Sequence, residues 1–576
     1  MFRLLPVQLL MLAVASLNSL ISGWFAANFI GEAAISAVGL FAPIMNLIMA
    51  VGNVLTVGAS ILCGEHAGRN EQQRMQSVFT VNIAAALLAG VFFSAALLAL
   101  GASGMSGLFS DEPAIRLAFE RYIIAQAAGV IPYMLLAQIP AYLIMDNRSR
   151  LAVASGIVFA LSNVAFNLLF VCVMHAGVSG LAYASILGAW ACLAVEAVPF
   201  IKGQASVRFS LKGADWSDCP QIIRTGFPGG ATYIYQTLRG FIVNWLILRY
   251  AAQNGMSAFT AVNSFLLVFW ALPAAMAVVS RLMTGVSIGE EDRQTLTDVM
   301  RVMFSRFLPL QCAVSAVLCL MAVPLTHLFF HDTTDPVFMM TVWGFRLLPL
   351  CMPFSVIYLH FASYYQASGR ERFANFLAVL DGVVDVVVVS VALISVMGMN
   401  SIYVANVANG AVTVILILVY ACVKNRRLPR CMDELMVIPD DFGAAEGERM
   451  AVTLHTPSKI AGIAGQIQEF CTERGTDERK AHAAGLAVED MAENIVEHGF
   501  VNDRHAHYID VRVVHKDERI TILIKDDGVK FDPHSMRRIE ERDKDAGGTG
   551  LRLVFGMAED VQYQHILGLN ILTIRI

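Results

Sequence analysis

Residues that can handle phosphate are concentrated in the last quarter of the chain. Asp490, Asn494 and His498 follow one another at intervals of four residues, so in a helix they form one stripe, with Glu489 beside it. The amide oxygen of Asn494 can bind Mg²⁺, and the carboxylate of Asp490 or Glu489 can act as a base on a hydroxyl beside a phosphate. An acidic, solvated helix face is the alternative interpretation of this stripe on its own.

Two glycine-containing motifs follow the stripe. Asp526 comes at the end of a predicted strand, where its carboxylate can accept a hydrogen bond from an adenine amino group while Gly528 lets the base approach. Gly547, Gly548 and Gly550 form a loop that opens a helix, where backbone N–H groups can hold phosphates. No Lys-Ser/Thr pair follows this loop and no strand directly precedes it, which excludes a Walker A motif and a dinucleotide fingerprint. Together the motifs predict an ATP site with Mg²⁺.

A soluble α/β domain must position these motifs. Periodicity predicts helices over 458–474 and 476–499, and alternating apolar residues predict strands over 508–515, 519–525 and 571–576. The acidic stripe then lies on the second helix, and the Asp-x-Gly motif lies where the second strand ends.

The charge of the chain changes sharply near residue 430. Residues 1–430 contain 24 basic and 19 acidic residues, whereas residues 431–576 contain 17 and 27. Only 15% of the chain is charged, against about 25% in an ordinary soluble protein. This composition excludes a soluble enzyme throughout, a disordered chain and a basic nucleic-acid binder. It predicts a membrane part followed by a soluble part.

Twelve apolar segments of the first part are long enough, at about 20 residues, to cross a bilayer. They lie at 7–28, 34–62, 76–101, 117–144, 151–174, 178–201, 222–248, 257–287, 302–325, 337–364, 373–397 and 401–422. Arg and Lys fall in every second connection and after the last segment. The positive-inside rule therefore predicts that both termini are cytoplasmic.

The membrane part contains an internal repeat. Gly31–Val38 resembles Gly255–Val262, and Asn147–Leu151 resembles Gly369–Phe373 at nearly the same offset. Small-residue bias in membrane helices is the alternative explanation of either match alone. Two matches at one offset favour a duplication of six helices, with both halves inserted in the same orientation and a cavity between them.

Four segments carry the pattern of a known family, namely Gly31–Pro43, Gly64–Gly68, Gly177–Ala184 and Arg224–Gly229. In this order and spacing they resemble the multidrug and toxic compound extrusion (MATE) transporters. The resemblance implies two six-helix bundles around a V-shaped cavity, and cation-coupled export (H⁺ or Na⁺) of a small organic compound across a bacterial inner membrane, in contact with lipid. Ser22 stands where many bacterial members have an Asp, so that coupling carboxylate is absent here.

Three carboxylates within the predicted spans remain as candidates for ion coupling. Asp381 and Asp385 lie four residues apart in the eleventh span, and Glu196 lies in the sixth. Ionisable groups at this depth cost about 3 kcal/mol on insertion scales, so they are retained mainly for function. The alternative interpretation is a structural ion pair with one of the arginines of the spans, Arg239, Arg281 and Arg346.

The motifs of the soluble part, with Gly568-x-Asn570-x-Leu572-Thr573 near its end, resemble the GHKL ATP-binding fold and, within it, the anti-sigma-factor serine/threonine kinases. The resemblance implies an Mg²⁺ ligand, an adenine-binding pair and glycines of a loop that covers the phosphates. These roles fall on Asn494 for Mg²⁺, on Asp526 and Gly528 for adenine, and on Gly548 and Gly550 for the loop, with His498, Gly547 and Thr573 also at the nucleotide.

This sequence departs from the GHKL pattern at two positions. Asp490 stands where the kinases have the longer carboxylate Glu, and Lys530 stands where they have a second glycine. No dimerisation and phosphoacceptor helix precedes the domain, which disfavours an autophosphorylating histidine kinase.

We therefore predict a polytopic helical transporter with twelve spans over 1–425, with halves of about 1–212 and 213–425, a linker over 426–447 and a GHKL-type α/β sandwich over 448–576. The predicted function is export of a small-molecule substrate, with an ATP-binding domain that regulates it or phosphorylates a Ser/Thr partner such as an anti-anti-sigma-like (STAS) protein. One alternative is a membrane-anchored serine/threonine kinase with a non-transporting receptor, and another is nucleotide binding without chemistry that gates the transporter.

Overall fold

The computed structural model describes most of the chain in two compact units. The described residues are 6, 9–10, 21, 24–103, 112–444, 446–454, 460–500, 507–516, 519–530, 556, 558–566 and 568–576. One unit comprises Met1–Leu143, Ser149–Glu290 and Gln294–Ile438, and the other comprises Pro439–Ile576 with Ile144–Arg148 and Glu291–Arg293. Ser22, Gly547, Gly548 and Gly550 lie outside the described residues, as does most of the first predicted span.

The described residues of the first half of the membrane part form six long helices. They are α1 (Glu32–Gly68), α2 (Gln72–Ala102), α3 (Pro113–Ala127), α4 (Val130–Met145), α5 (Ser149–Asn167) and α6 (Gly177–Ile201). The helices α3 and α4 are bent by 52° at their junction. Gly31 and Gly177, which open two of the family-like segments, have φ of 107° and 60°, a conformation that glycine adopts without strain.

The second half of the membrane part is also helical, but its helices are broken at more positions. Its helices are α7 (Asp218–Tyr250), α8 (Ala252–Ser264), α9 (Leu266–Gly289), α10 (Arg293–Val302), α11 (Leu308–Leu320), α12 (Ala322–His327), α13 (Pro336–Leu347), α14 (Met352–Ala367), α15 (Glu371–Val379), α16 (Asp385–Met397), α17 (Asn400–Asn425) and the short α18 (Met432–Met436). Short π- or 3₁₀-helical turns join α10 to α11, α13 to α14 and α15 to α16, so each pair forms one continuous span.

The spans agree with a multi-pass membrane protein. Among the described residues, nine helices are long and apolar enough to cross a membrane, and the bent pair α3 and α4 makes a tenth. The seventh predicted span lies within α7, which is not among these ten and carries Arg224, Arg239 and Arg249. The predicted polytopic helical bundle is confirmed.

Glycines let helices of the two halves touch. A Cβ at Gly226 of α7 would lie 1.9 Å from the carbonyl oxygen of Val54 in α1, and a Cβ at Gly289 of α9 would lie 1.9 Å from the carbonyl oxygen of Glu65. The backbones of α7 and α9 are therefore in direct contact with α1. Small residues permit this close approach where no hydrophobic effect drives helices together.

Replacing Gly226 by Ala is expected to destabilise this contact. The added methyl group must push α1 and α7 apart, and overpacking of this kind costs about 1–3 kcal/mol. We expect a lower melting temperature of the purified full-length protein. Gly240→Ala, in the same helix but with no atom within 4 Å of the added Cβ, is the matched control. Equal melting temperatures for the two variants would contradict the packing.

The C-terminal unit contains a five-stranded antiparallel sheet. Its elements are β1 (Arg449–Leu454), α19 (Ile460–Thr472), α20 (Glu478–Asn494), β2 (Ile509–Lys516), β3 (Arg519–Asp526), β4 (Asp560–Ile566) and β5 (Leu569–Arg575). The strand order is β1-β2-β3-β5-β4. Ile467 and Val488 of the helices pack in one core with Ile520, Ile522 and Ile524 of β3, so the helices cover one face of the sheet.

The predicted strands correspond to β2, β3 and β5, which occupy the middle of the sheet. The strands β1 and β4 were not predicted, and both lie at its edges. Edge strands commonly carry polar side chains. In β4, Asp560, Gln562 and Gln564 leave no apolar run for periodicity to detect. The predicted α/β domain is nevertheless confirmed.

Candidate functional site

Asp526 lies at the end of β3, on the face of the sheet that the helices cover. The strand register places Asn570 of β5 directly opposite. The carboxylate oxygen Oδ1 of Asp526 accepts hydrogen bonds from the backbone N–H of Gly528 at 2.9 Å and from Nδ2 of Asn570 at 2.8 Å. Burial raises the pKa of Asp526 in spite of these hydrogen bonds. None of these contacts uses the second oxygen, Oδ2.

Asn570 connects the Asp-x-Gly turn to the strands β4 and β5. Besides Asp526, its Nδ2 contacts the carbonyl oxygen of Val529 at 3.0 Å. Its Oδ1 accepts hydrogen bonds from the hydroxyl of Tyr563 at 2.7 Å and from Nδ1 of His565 at 2.9 Å. Asn570 therefore holds the carboxylate of Asp526 in place against the turn and the edge strand β4.

The helix α20 reaches the Asp-x-Gly turn through the residues that follow it. A π-helical turn, Ile495–Gly499, continues α20, and the carbonyl oxygen of Gly499 accepts a hydrogen bond from the N–H of Val529 at 2.7 Å. A Cβ at Gly528 would lie 2.6 Å from the same oxygen. Glycine at 528 is thus required for this close approach. The contact places the acidic stripe and the Asp-x-Gly motif at one edge of the domain.

The acidic stripe presents its amide and carboxylate groups on one side of α20. Nδ2 of Asn494 donates a hydrogen bond to the carbonyl oxygen of Asp490 at 2.8 Å, which leaves the amide oxygen for a cation. Asp490 and Glu489 are both half-buried. Burial, followed by the nearby carboxylate of Glu493, raises the pKa of Asp490. A raised pKa suits a general base.

Two other predicted residues are less closely associated with this edge. His498 is exposed, with Nε2 4.0 Å from a carboxylate oxygen of Glu497. Thr573 pairs with Leu523 of β3, an odd number of residues from Asp526, so its side chain lies on the opposite face of the sheet. The geometry does not bring Thr573 to Asp526.

The donor set at this edge fits Mg²⁺. Within the described ranges no group of three His, Cys, Asp or Glu could hold a metal ion alone. Magnesium that binds with phosphates needs only one or two protein oxygens, because the phosphates and water supply the other ligands. The amide oxygen of Asn494 meets that requirement.

Asp381 and Asp385 lie together in the second half of the membrane part. Asp381 belongs to the π-helical turn Leu380–Val384 between α15 and α16, and its Oδ1 accepts a hydrogen bond from Nδ2 of Asn409 in α17 at 2.9 Å. The guanidinium of Arg239 in α7 is within electrostatic range of Asp381. Asp385 begins α16, and its Oδ2 is buried without a hydrogen-bond partner among the described residues.

Glu196 lies elsewhere, in α6 of the first half. Its Oε1 accepts a hydrogen bond from the hydroxyl of Ser155 in α5 at 2.8 Å. Its Oε2 is buried and, within the described part of the chain, has no hydrogen-bond partner. The structure therefore brings Asp381 and Asp385 into one cluster and places Glu196 in a separate one.

The fold and these sites define a class: a helical membrane protein in two packed halves, followed by a domain with the geometry of a nucleotide site. The family model described as MatE matches residues 8–169 and 228–391, one block in each half, and the chain belongs to this family. The model described as a histidine kinase-like ATPase domain matches residues 454–576, which implies ATP binding by the C-terminal domain. Both resemblances found in the sequence are confirmed.

Solved MATE structures share the membrane fold. A crystal structure of MATE in complex with MaL6 is 20% identical with a TM-score of 0.67, covering 72% of this chain and 93% of that chain. An outward-facing multidrug resistance MATE transporter of the MOP superfamily is 19% identical with a TM-score of 0.66, covering 72% and 93%. A MOP superfamily transporter from Pyrococcus furiosus, described by the reverse polarity of its binding pocket, is 19% identical with a TM-score of 0.66, covering 72% and 94%. Comparison with curated proteins finds no match.

Proposed function

We propose that this protein is a cation-coupled exporter of a small organic compound, with a cytoplasmic ATP-binding domain that regulates transport or phosphorylates a Ser/Thr partner. The carboxylate cluster of Asp381 and Asp385 is the observation that supports cation coupling. The contact of Gly499 with Gly528 supports ATP binding, because it joins the acidic stripe to the Asp-x-Gly turn. We place the protein in a bacterial inner membrane. The basic residues in every second loop support an orientation with both termini in the cytoplasm.

The coupling ion binds at Asp385 in this proposal. Asp381 is already engaged by Asn409 and lies near Arg239, whereas the buried Oδ2 of Asp385 has no partner among the described residues. A buried carboxylate oxygen without a hydrogen bond is costly, and H⁺ or Na⁺ removes that cost. Glu196 is the second candidate, because its Oε2 is unpaired in the same way.

The ATP site uses residues from α20, β3 and β5. Asp526 would accept the adenine amino hydrogen through Oδ2, Asn570 positions that carboxylate, and Gly528 leaves room for the base. Asn494 would hold Mg²⁺ through its amide oxygen, and the ion would neutralise phosphate charge. Asp490, or Glu489 beside it, accepts the proton of a serine or threonine hydroxyl of the partner, a small anti-anti-sigma-like (STAS) protein. For the phosphates we propose the glycines of the predicted loop, Gly547, Gly548 and Gly550, which lie outside the described residues.

Replacing Asp490 by Asn is expected to abolish phosphotransfer and to preserve ATP binding. The amide keeps the shape of the side chain and loses its basicity, and a positioned base contributes roughly 100-fold or more to a rate. The full-length protein is incubated with Mg-ATP and a Ser-containing STAS protein, and the phosphate incorporated into the STAS protein is measured. Glu478→Gln, an exposed acid at the start of the same helix, is the control.

Three results of this experiment separate the candidate functions. Undiminished phosphotransfer by Asp490→Asn would show that another group is the base, with Glu489 tested next. Wild-type protein that binds ATP, transfers no phosphate and transports at an ATP-dependent rate would favour an allosteric gate, the function that the short Asp490 side chain favours. Phosphotransfer with no transport would favour the membrane-anchored kinase.

A further inference from the structure

A cation lies deep between the two halves of the membrane part. Arg281 is eight residues before the end of α9 at Gly289, about 12 Å along the helix axis. One turn beyond Arg281, a Cβ at Gly285 would lie 3.0 Å from the carbonyl oxygen of Ile61 in α1. The backbones of α1 and α9 therefore meet just beyond Arg281, on the side of the basic loops, and close the space between the halves there.

A polar stripe of α7 faces the same space. Tyr233, Gln236, Thr237 and Asn244 recur at helical spacing. The Tyr233 side chain is within electrostatic range of Arg281 in α9, and Thr237 Oγ1 accepts a hydrogen bond from Nδ2 of Asn46 in α1 at 3.5 Å. The stripe thus lies between α1 and α9. A separate face of α7 carries the exposed apolar side chains Leu238, Phe241 and Trp245.

Arg281 has no counter-charge in the described part of the chain. Its Nε is buried without a hydrogen-bond partner, and Tyr233 is the group within electrostatic range of its guanidinium. Arg239 differs, because it has Asp381 nearby. A partly buried cation at membrane depth is costly without a counter-charge, and ionisable residues at that depth are retained mainly for function. An anionic group placed against Arg281 removes that cost.

We propose that Arg281 and the polar stripe of α7 form a binding site for an organic anion, with its carboxylate, sulfonate or phosphate on Arg281 and its ring or hydroxyl groups on Tyr233 and Gln236. This site deepens the proposed transport function, on which it rests, by naming the substrate class. The same anionic chemistry is carried by a soluble compound and by an acidic lipid headgroup, and the test distinguishes them.

The test uses two dyes that share a xanthene ring system and differ in charge. Fluorescein is an anion at pH 7.5 and rhodamine 123 is a cation. Binding of each dye to the purified full-length protein is measured by fluorescence anisotropy. We expect wild-type protein to prefer fluorescein, and Arg281→Gln to weaken fluorescein binding roughly 10- to 100-fold, as loss of one charge-assisted hydrogen bond does. Arg281→Lys retains most of the affinity.

Arg346→Gln is the matched control, because Arg346 is exposed and lies over the Trp343 ring at 5.6 Å. We expect this variant to bind both dyes as wild type does. Competition by phosphatidylglycerol but not by phosphatidylcholine would identify a lipid headgroup as the anion, and no competition would identify a soluble compound. Fluorescein binding that is absent in wild type or unchanged in Arg281→Gln would overturn the anion site.

A transport measurement keeps this outcome separate from that of the proposed function. Wild-type proteoliposomes that expel rhodamine 123 in a cation gradient, with fluorescein unbound, would leave the exporter intact and remove only the anion site. Proteoliposomes that move neither dye while Arg281→Gln selectively loses fluorescein binding would leave the anion site intact and remove transport.

Discussion

Replacing Asp526 by Asn is expected to lower the affinity for ATP roughly 10- to 100-fold. The variant side chain has nearly the same shape, so the N–H of Gly528 and Nδ2 of Asn570 can still contact an oxygen at Oδ1. The amide then places an NH₂ group where Oδ2 would accept the adenine amino hydrogen. Two donors face each other, and the buried adenine amino group loses its acceptor.

The affinity is measured with a fluorescent ATP analogue on the full-length protein in detergent. Asp560→Asn is the control, because Asp560 is a carboxylate on the edge strand β4 that pairs with Arg575 at 2.8 Å. GTP binding is measured in parallel, since loss of adenine recognition should reduce the preference for ATP over GTP. Equal ATP affinity of wild type and Asp526→Asn would refute the adenine assignment.

Replacing both Asp381 and Asp385 by Asn is expected to abolish gradient-driven transport. Asn cannot exchange a proton or supply the negative charge that holds Na⁺, and no carboxylate is then left in this cluster. We expect Asp385→Asn alone to reduce transport more than Asp381→Asn alone, because Asp381 is already hydrogen-bonded to Asn409 whereas Oδ2 of Asp385 has no partner among the described residues.

Transport is measured in proteoliposomes with an imposed pH or Na⁺ gradient, with fluorescein and rhodamine 123 each offered as the probe. Asp332→Asn is the matched control, since Asp332 lies in the loop between α12 and α13 and accepts a hydrogen bond from Thr334. Full transport by the double variant would exclude this cluster, and Glu196→Gln would then be tested. A response to only one of the two gradients identifies the coupling ion.

The positions of the nucleotide motifs follow from the sequence more completely than their contacts do. Asp526 at the end of β3 and Asn494 on α20 lie on the elements that periodicity predicts. The sequence places Asn570 and Thr573 in one motif but does not show which of them faces Asp526, because three residues along a strand reverse the face on which a side chain lies. Only the register of β5 against β3 decides which of the two sits beside Asp526.

In the membrane part, too, the sequence gives the positions of the charged residues but not their contacts. Spacing alone placed Asp381 and Asp385 on neighbouring turns, and left open an ion pair with Arg239, Arg281 or Arg346. Helix packing decides what lies near each arginine: Arg239 lies near Asp381, Arg281 lies one turn from the contact of α1 with α9, and Arg346 is exposed. Their spacing along the chain carries no information about these partners.

The sequence by itself determined the apolar segments, the internal repeat, the change of solvent near residue 430 and the family-like motifs. These properties depend on composition and on periods of a few residues. Tertiary structure decided that Asn570 meets Asp526, that Asp381 meets Asn409, and that Arg281 stands without a counter-charge among the described residues. The physical reason is that such contacts join residues distant in the chain. Strand register and close helix packing fix them, and no local pattern records either.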